Sequence, residues 1–237
     1  MRAKRKSKKI GKKFFLPVIG QVIPKKFKSI KFLTYWHFLY RSELNHENRP
    51  GLTVALNSLD SKPAIIVETG TSAWGTDSTR LWASYVTSFG GRLLSVDVRS
   101  EPRDTLGNLG PNIDLYVNDS VNFMKYFDQY KIKQIDLLYL DSFDIDWEDP
   151  YPAMLHGLEE FQASGKFIGR GTIVVIDDTP NSFSWIPENA HKISQEIQSK
   201  LGVLPGKGAL VLKNIKSQPS KYQLLFHDYN LVFKVLQ

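Results

Sequence analysis

The chain has 237 residues, of which 42% are apolar, with no cysteine and a formal net charge of +7. This length and apolar content predict a globular domain with a full core. The missing cysteine excludes a disulfide, a thiolate metal site and a cysteine nucleophile. Because the absence of cysteine is typical of a reducing compartment, we expect a cytoplasmic location.

Positive charge is concentrated at the amino terminus. Residues 1–31 contain 12 of the 31 basic residues and no Asp or Glu, so 19 basic and 24 acidic residues are left for the rest of the chain. Residues 1–26 are predicted to form a basic, flexible arm. Such an arm could bind a nucleic acid, an anionic membrane or an acidic protein, or it could be simply solvated by water. The apolar stretch 14–23 is too short to span a bilayer, so membrane association would be peripheral.

Residues 27–62 are predicted to form a helical cap segment. A helix is expected over Phe27–Leu44, because aromatic side chains recur on neighbouring turns. Three roles stay open for it: a lid over a substrate, a homodimer contact, and a helix packed on the edge of a sheet. Residues 45–62 are predicted to be a polar connection with a short apolar patch at Leu52–Leu56.

Strand and helix patterns alternate from residue 63 onward. Strands are predicted at Ala64–Thr69, Arg92–Val98, Ile113–Asn118, Ile135–Asp141 and Gly171–Asp177. Helices are predicted at Thr76–Phe89, Ser120–Tyr130, Pro152–Ala163 and Pro187–Leu201. Two closely spaced strands are then expected at Gly208–Asn214 and Tyr222–His227, before a last apolar run at Leu231–Leu236.

The five leading strands are continuous apolar runs, which is typical of a parallel sheet covered on both faces. The predicted fold is therefore α/β: a doubly wound, mostly parallel, Rossmann-like sheet with an antiparallel strand at its C-terminal end.

The turn after the first strand has the features of a ligand-binding loop. Glu68 stands near the end of the strand, and Gly70 and Gly75 let the backbone pass close to a ligand at the start of the next helix. A carboxylate here would repel a pyrophosphate but could receive the cationic end of an amino-acid-like ligand. The turn therefore favours S-adenosylmethionine over NAD, and the missing Gly-x-Gly-x-x-Gly pattern also disfavours an NAD-dependent oxidoreductase.

Acidic residues follow the carboxyl ends of all five predicted strands: Glu68, Asp97, Asp119, Asp141 with Asp144, and Asp177 with Asp178. Ligands of open α/β sheets bind outside these strand ends. One or two such acids would be unremarkable as helix caps, but five in succession predict a shared site.

The second and third strands are expected to contribute to a nucleoside site. Asp97 lies one β-α unit after the glycine turn, where a carboxylate can accept hydrogen bonds from a ribose diol. Asp119 and Ser120, at the tip of the third strand, are placed to contact an adenine edge.

The fourth and fifth strands are expected to be neighbours, which brings Asp141, Asp177 and Asp178 together. Because clustered carboxylates raise one another's pKa unless a cation is bound, these three are predicted to hold Mg²⁺ or another divalent cation. The open alternative is that Asp178 caps the following turn and Asp144 is a surface residue.

Taken in order, these motifs resemble those of class I S-adenosylmethionine-dependent methyltransferases. The resemblance covers about residues 60–215 and is carried by the segments VETGTSAWGTDST, LLSVDV, VNDS, IDLLYLDSFD and GTIVVIDD. It implies a methyltransferase domain at residues 63–237. The cofactor-binding residues that it implies are Glu68, Gly70, Thr71, Ser72, Gly75, Asp97, Asp119, Ser120 and Asp141.

Within this class the chain is most similar to metal-dependent O-methyltransferases of the catechol type and to their sugar-tailoring relatives. The resemblance implies methyl transfer to a hydroxyl of a sugar or phenolic small molecule, with Asp141, Asp177 and Asp178 as metal ligands. The lysine base of the catechol-type enzymes is replaced here by Asp144. The catalytic candidates are therefore Asp141, Asp144 and His156.

Two other functions stay open. The basic arm would suit an RNA ribose O-methyltransferase, because it would raise affinity for phosphates without reading bases. A non-catalytic binding module with the same fold is the second, since fold alone does not imply activity.

Overall fold

A computed structural model describes residues 29–60, 62–71 and 75–237. The predicted arm at 1–26 and the cofactor candidate Ser72 lie outside the described residues. Within the described residues, no helix is long and apolar enough to cross a membrane.

A seven-stranded sheet forms the centre of the molecule. Its strands are β1 (Ala64–Thr69), β2 (Gly91–Asp97), β3 (Ile113–Val117), β4 (Leu137–Leu140), β5 (Ile173–Ile176), β6 (Tyr222–His227) and β7 (Leu231–Val235). Their spatial order is β3-β2-β1-β4-β5-β7-β6. The first five strands are parallel, and β7 pairs antiparallel with both β5 and β6. The predicted fold class is confirmed.

Helices cover both faces of the sheet. They are α1 (Ile30–Tyr40), α2 (Arg49–Ser58), α3 (Ser78–Phe89), α4 (Glu101–Leu106), α5 (Ser120–Lys125), α6 (Tyr151–Ala163), α7 (His191–Leu201) and α8 (Ala209–Lys216). Successive strand residues point to opposite faces, so Ile66 packs with α1, α2 and α3, whereas Val67 packs with α5, α6, α7 and α8. The continuous apolar strands follow from this two-sided burial.

Two predicted elements differ from the structure. The segment predicted as the strand Gly208–Asn214 is helix α8, in which Ala209, Leu212 and Ile215 are buried at a spacing of three residues. The antiparallel strand pair is instead β6 with β7, built from the last apolar run. The polar connection predicted for residues 45–62 contains α2, because Leu52, Ala55 and Leu56 lie on one face and are fully buried.

Helix α1 is shorter than its prediction and packs on the body of the protein. Leu33 and Phe38 share a core with α2 and α3, while His37 Nε2 lies 2.7 Å from the carbonyl oxygen of Thr76. Because that oxygen can only accept, Nε2 must carry the proton. This bond anchors α1 to the glycine-bearing turn.

Candidate functional site

A cavity of about 500 Å³ opens where β1, β4 and β5 end. This volume is within the usual range for small-molecule sites. Six of the predicted site residues line it: Gly70, Gly75, Asp141, Asp144, Asp177 and Asp178. Residues that the sequence did not single out complete the wall, among them His46, Asn48, Arg99, Lys207 and Tyr229. The edge of the sheet that was predicted to hold the site therefore contains a cavity of suitable size.

The side chain of Glu68 lies beneath the cavity rather than in its wall. It is fully buried and accepts hydrogen bonds from three hydroxyls: Ser78 at 2.5 Å, Thr79 at 2.5 Å and Ser95 at 2.6 Å. The direct ligand contact predicted for Glu68 does not fit this arrangement. The carboxyl group instead joins β1 to β2 and to the first turn of α3, so its position fixes the turn above it.

The carboxylate of Asp97 is held at the end of β2. Its Oδ1 and Oδ2 each accept a bond of 3.0 Å from the Arg99 guanidinium, and Oδ2 also accepts the backbone N–H of Thr71 at 3.1 Å. Thr71 is itself buried and its hydroxyl bonds to Ser95 at 2.8 Å. The Arg99 side chain is 43% exposed and lines the cavity, whereas the side chain of Asp97 is 4% exposed and does not line it. A diol could reach the Asp97 carboxylate only by taking the place of the Arg99 guanidinium.

Asp119, Ser120 and His156 lie beside the cavity but do not line it. Asp119 caps α5 by accepting the backbone N–H of Asn122 at 2.8 Å. The Nε2 atom of His156 lies 3.1 Å from the Ser120 hydroxyl and 2.9 Å from the Ser142 hydroxyl. The Glu160 carboxylate, which accepts a hydrogen bond from the His156 ring, raises the pKa of His156. Because His156 faces this hydroxyl cluster, the structure does not favour it as the catalytic base.

The three carboxylates predicted to bind metal do converge, but around a lysine. The Lys207 Nζ atom lies 2.5 Å from Asp141 Oδ1 and 2.9 Å from Asp178 Oδ2. Tyr139 donates to Asp177 Oδ2 at 2.8 Å and lies 3.1 Å from Asp141 Oδ2.

The remaining carboxylate oxygens also have protein donors. Asn48 donates to Asp177 Oδ2 at 2.7 Å, the backbone N–H of Asp178 donates to Asp177 Oδ1 at 2.9 Å, and Tyr229 donates to Asp178 Oδ1. All six oxygens therefore lie within hydrogen-bonding distance of a protein donor.

The pKa values of this cluster follow from burial and charge. Burial raises the pKa of both Asp141 and Asp177, and the charges of two neighbouring carboxylates raise that of Asp177 further. Burial alone would lower the pKa of Lys207, but the charges of Asp141, Asp178 and Asp177 outweigh it and the pKa is raised. Lys207 therefore carries a positive charge at neutral pH.

This arrangement does not fit the divalent cation that the sequence predicted. The described part of the chain contains no group of three or more His, Cys, Asp or Glu side chains that could hold a metal ion. A divalent cation shared by Asp141 and Asp178 would have to displace the Lys207 ammonium, which lies 2.5 Å and 2.9 Å from their oxygens. The ammonium takes the position between Asp141 and Asp178 that a metal would need.

Sequence reasoning missed Lys207, which lies directly before the predicted strand Gly208–Asn214. Two local signals accompany it: Gly206 and Gly208 flank the lysine, and a helical apolar spacing follows. Asn48 and Arg99 carried no signal of their own, since a polar residue in a loop is usually solvated.

Comparison with known proteins gives structural relatives only. No protein-family model matches the sequence, and no curated protein matches it. The methyltransferase MycE from the mycinamycin biosynthetic pathway, solved in complex with Mg, SAH and mycinamycin VI, aligns with a TM-score of 0.61 and 15% identity. The alignment covers 88% of this chain and 54% of MycE, so the chain spans about half the length of that relative.

Two further structures agree with this comparison. A second crystal of MycE, with Mg and SAH, gives a TM-score of 0.60 at 15% identity, over 88% of this chain and 55% of MycE. A candidate O-methyltransferase from Klebsiella pneumoniae gives a TM-score of 0.50 at 10% identity, over 93% of this chain and 97% of the other. The chain has the fold of class I methyltransferases.

Proposed function

We propose that this protein is an S-adenosylmethionine-dependent methyltransferase that acts on a hydroxyl group of a small molecule. The observation that carries the proposal is the cavity at the carboxyl ends of the parallel strands, with Gly70, Gly75 and Arg99, the partner of Asp97, on one side and a buried charged cluster on the other. MycE, which has this fold, has been solved with Mg and SAH, and also with Mg, SAH and mycinamycin VI.

The donor side of the cavity suits a nucleoside. Gly70 has a φ of +82°, and a Cβ at this position would overlap the carbonyl oxygen of Asp141, so only glycine allows β1 to turn this closely past β4. Asp97 stands at the end of β2 and is paired with Arg99, a cavity-lining side chain whose place on the carboxylate a ribose diol would take. We assign the donor nucleoside to this side for these reasons.

The acceptor side is polar and is built by three loops. Asn48 follows α1, Lys207 precedes α8, and Tyr229 connects β6 with β7. Such a wall favours a hydroxylated substrate over an apolar one, because each polar group can meet a polar partner. A sugar or a phenol has this chemistry.

Proton removal would fall to a carboxylate in the cavity wall. When bound, S-adenosylmethionine supplies an electrophilic methyl group, whose bond to sulfur breaks as a bond to the acceptor oxygen forms. The proton released from the hydroxyl would pass to Asp141 or Asp144, the two predicted catalytic residues that line the cavity. The walls would hold donor and acceptor in line.

Metal assistance is left out of the proposal because Lys207 occupies the carboxylate cluster. The RNA alternative depends on the arm at residues 1–26, which lies outside the described residues.

Calorimetric titration of the full chain with S-adenosylhomocysteine tests the proposed function. We expect saturable binding with one site per chain, and no binding of NADH in a parallel titration. A folded protein that binds neither compound would contradict the proposal and favour a non-catalytic module. Methyl transfer to a panel of sugars and phenols would then identify the acceptor class.

Asp97→Ala is expected to weaken S-adenosylhomocysteine binding by about tenfold or more, because a hydrogen bond to a charged group contributes about 1.5–3 kcal/mol. Asp114→Ala is the matched control, since Asp114 also pairs with an arginine (Arg92 Nε, 2.8 Å) but on the β2–β3 pair away from the cavity. Calorimetry on both variants measures the difference. Equal affinities of the two variants for S-adenosylhomocysteine would show that Asp97 does not contribute to the donor site.

A further inference from the structure

The position of Lys207 is built by the backbone around it. Its N–H donates to the carbonyl oxygen of Asp178 at 2.9 Å, and the next N–H, of Gly208, donates to the Thr179 hydroxyl at 2.9 Å. A Cβ at Gly206 would overlap the Asp178 carbonyl oxygen, and a Cβ at Gly208 would overlap the Thr179 hydroxyl. The segment that carries the lysine is therefore pressed directly against the residues that follow β5.

This backbone fit leaves the lysine little freedom. The Lys207 side chain is only 5% exposed, yet it lines the cavity together with Asp141 and Asp178. An exposed lysine would exchange partners with water, whereas this one is enclosed with two carboxylates at 2.5 and 2.9 Å. Asp178 also has a φ of +42°, an unfavourable conformation for a residue with a side chain, so the cluster is held in place by its surroundings.

We propose that the Lys207 ammonium is a built-in cation that takes the place of a divalent metal among Asp141, Asp177 and Asp178. The inference rests on the proposed function, and it adds that methyl transfer by this chain needs no metal. Lys207 acts as a positioning residue: it holds Asp141 and Asp178 at the cavity wall and offsets their negative charge.

The proposal predicts a specific consequence of removing the ammonium. Without it, Asp141 Oδ1 and Asp178 Oδ2 lose their shared partner and face the cavity as free oxygen ligands, which divalent cations such as Mn²⁺ prefer. A lysine variant should therefore gain the metal site that the wild-type protein lacks. A lysine with a merely structural role would give no such gain.

Calorimetric titration of the full chain with MnCl₂, without any methyl donor, tests this consequence. We expect no saturable binding by the wild-type protein at millimolar Mn²⁺, and saturable binding by Lys207→Ser at least tenfold tighter than any wild-type signal. Lys213→Ser is the matched control, because Lys213 is an exposed lysine on the following helix and its loss should leave the wild-type result unchanged. Lys207→Arg keeps the charge and should also bind no Mn²⁺.

The wild-type protein and the Lys207→Ser variant can each give a result that overturns the proposal. Stoichiometric Mn²⁺ binding by the wild type that is lost in Asp141→Asn would show a metal site beside the lysine. A folded Lys207→Ser variant that binds no Mn²⁺ would equally contradict it. If that variant does not fold, the titration of the wild-type protein with Mn²⁺ decides the question. S-adenosylhomocysteine binding is measured separately on the same samples. Failure to bind S-adenosylhomocysteine would count against the proposed function, whereas the Mn²⁺ titration tests only the assignment of Lys207.

Discussion

Replacing Gly70 by alanine is expected to lower the free energy of unfolding by about 2–5 kcal/mol and to weaken S-adenosylhomocysteine binding by at least about tenfold. Two costs add at this position. The φ of +82° is unfavourable for any residue with a Cβ, and that Cβ would overlap the carbonyl oxygen of Asp141. Relief of the overlap would move the end of β4 away from the turn, and with it one wall of the cavity.

Gly202→Ala separates these two costs. Gly202 has a similar φ of +74° but nothing within 4 Å of the added Cβ, so its replacement should cost only about 1–2 kcal/mol. Urea unfolding and calorimetry on both variants make the comparison. Equal losses of stability would show that the close approach of Gly70 to Asp141 does not matter, and unchanged binding by Gly70→Ala would place the donor elsewhere.

Glu68 is expected to make stability depend on pH. Burial, opposed by hydrogen bonds from Ser78, Ser95 and Thr79, raises the pKa of Glu68 from 4.5 to about 7 in the folded protein. The folded state therefore favours the protonated acid. The contribution to stability is fully present below pH 4.5 and is lost as pH rises through 7, because the unfolded chain ionises first.

The expected loss is about 3 kcal/mol of unfolding free energy between pH 4 and pH 8, measured relative to Glu68→Gln. The amide is a neutral substitute that cannot ionise, so the difference between the two proteins isolates this one group. Glu196→Gln, at an exposed position on α7, is the matched control for the loss of a carboxylate. A constant difference between wild type and Glu68→Gln across this range would refute the raised pKa.

The sequence predicted most of the fold because its signals are local. Burial on both faces makes each of β1 to β5 a continuous apolar run, and glycine, proline or polar residues separate these runs. The segment Ala209–Lys216 was mistaken for a strand because a short apolar run fits either structure. Its helical spacing was present, but it could not be separated from a strand without the packing of Leu212 and Ile215 against the sheet.

The location of the candidate site could also be predicted from the sequence, whereas the roles of several of its residues could not. Parallel strands place their carboxyl ends at one edge, so acids after each strand had to gather there. Whether an acid faces the cavity or the protein interior depends on neighbours from other elements. Glu68 faces inward because Ser78, Thr79 and Ser95 meet it there, a combination that involves β1, β2 and α3 at once.

By itself, then, the sequence determined the doubly wound sheet and the edge at which Asp97, Asp141 and Asp177 collect. Only the tertiary structure decided which group offsets the negative charge of these carboxylates. Lys207 lies 66 residues after Asp141 in the chain, and it reaches the carboxylates because the segment before α8 folds back onto the end of β5. No local pattern encodes such a contact, because it depends on the path of a long connection and on backbone packing that glycine alone permits.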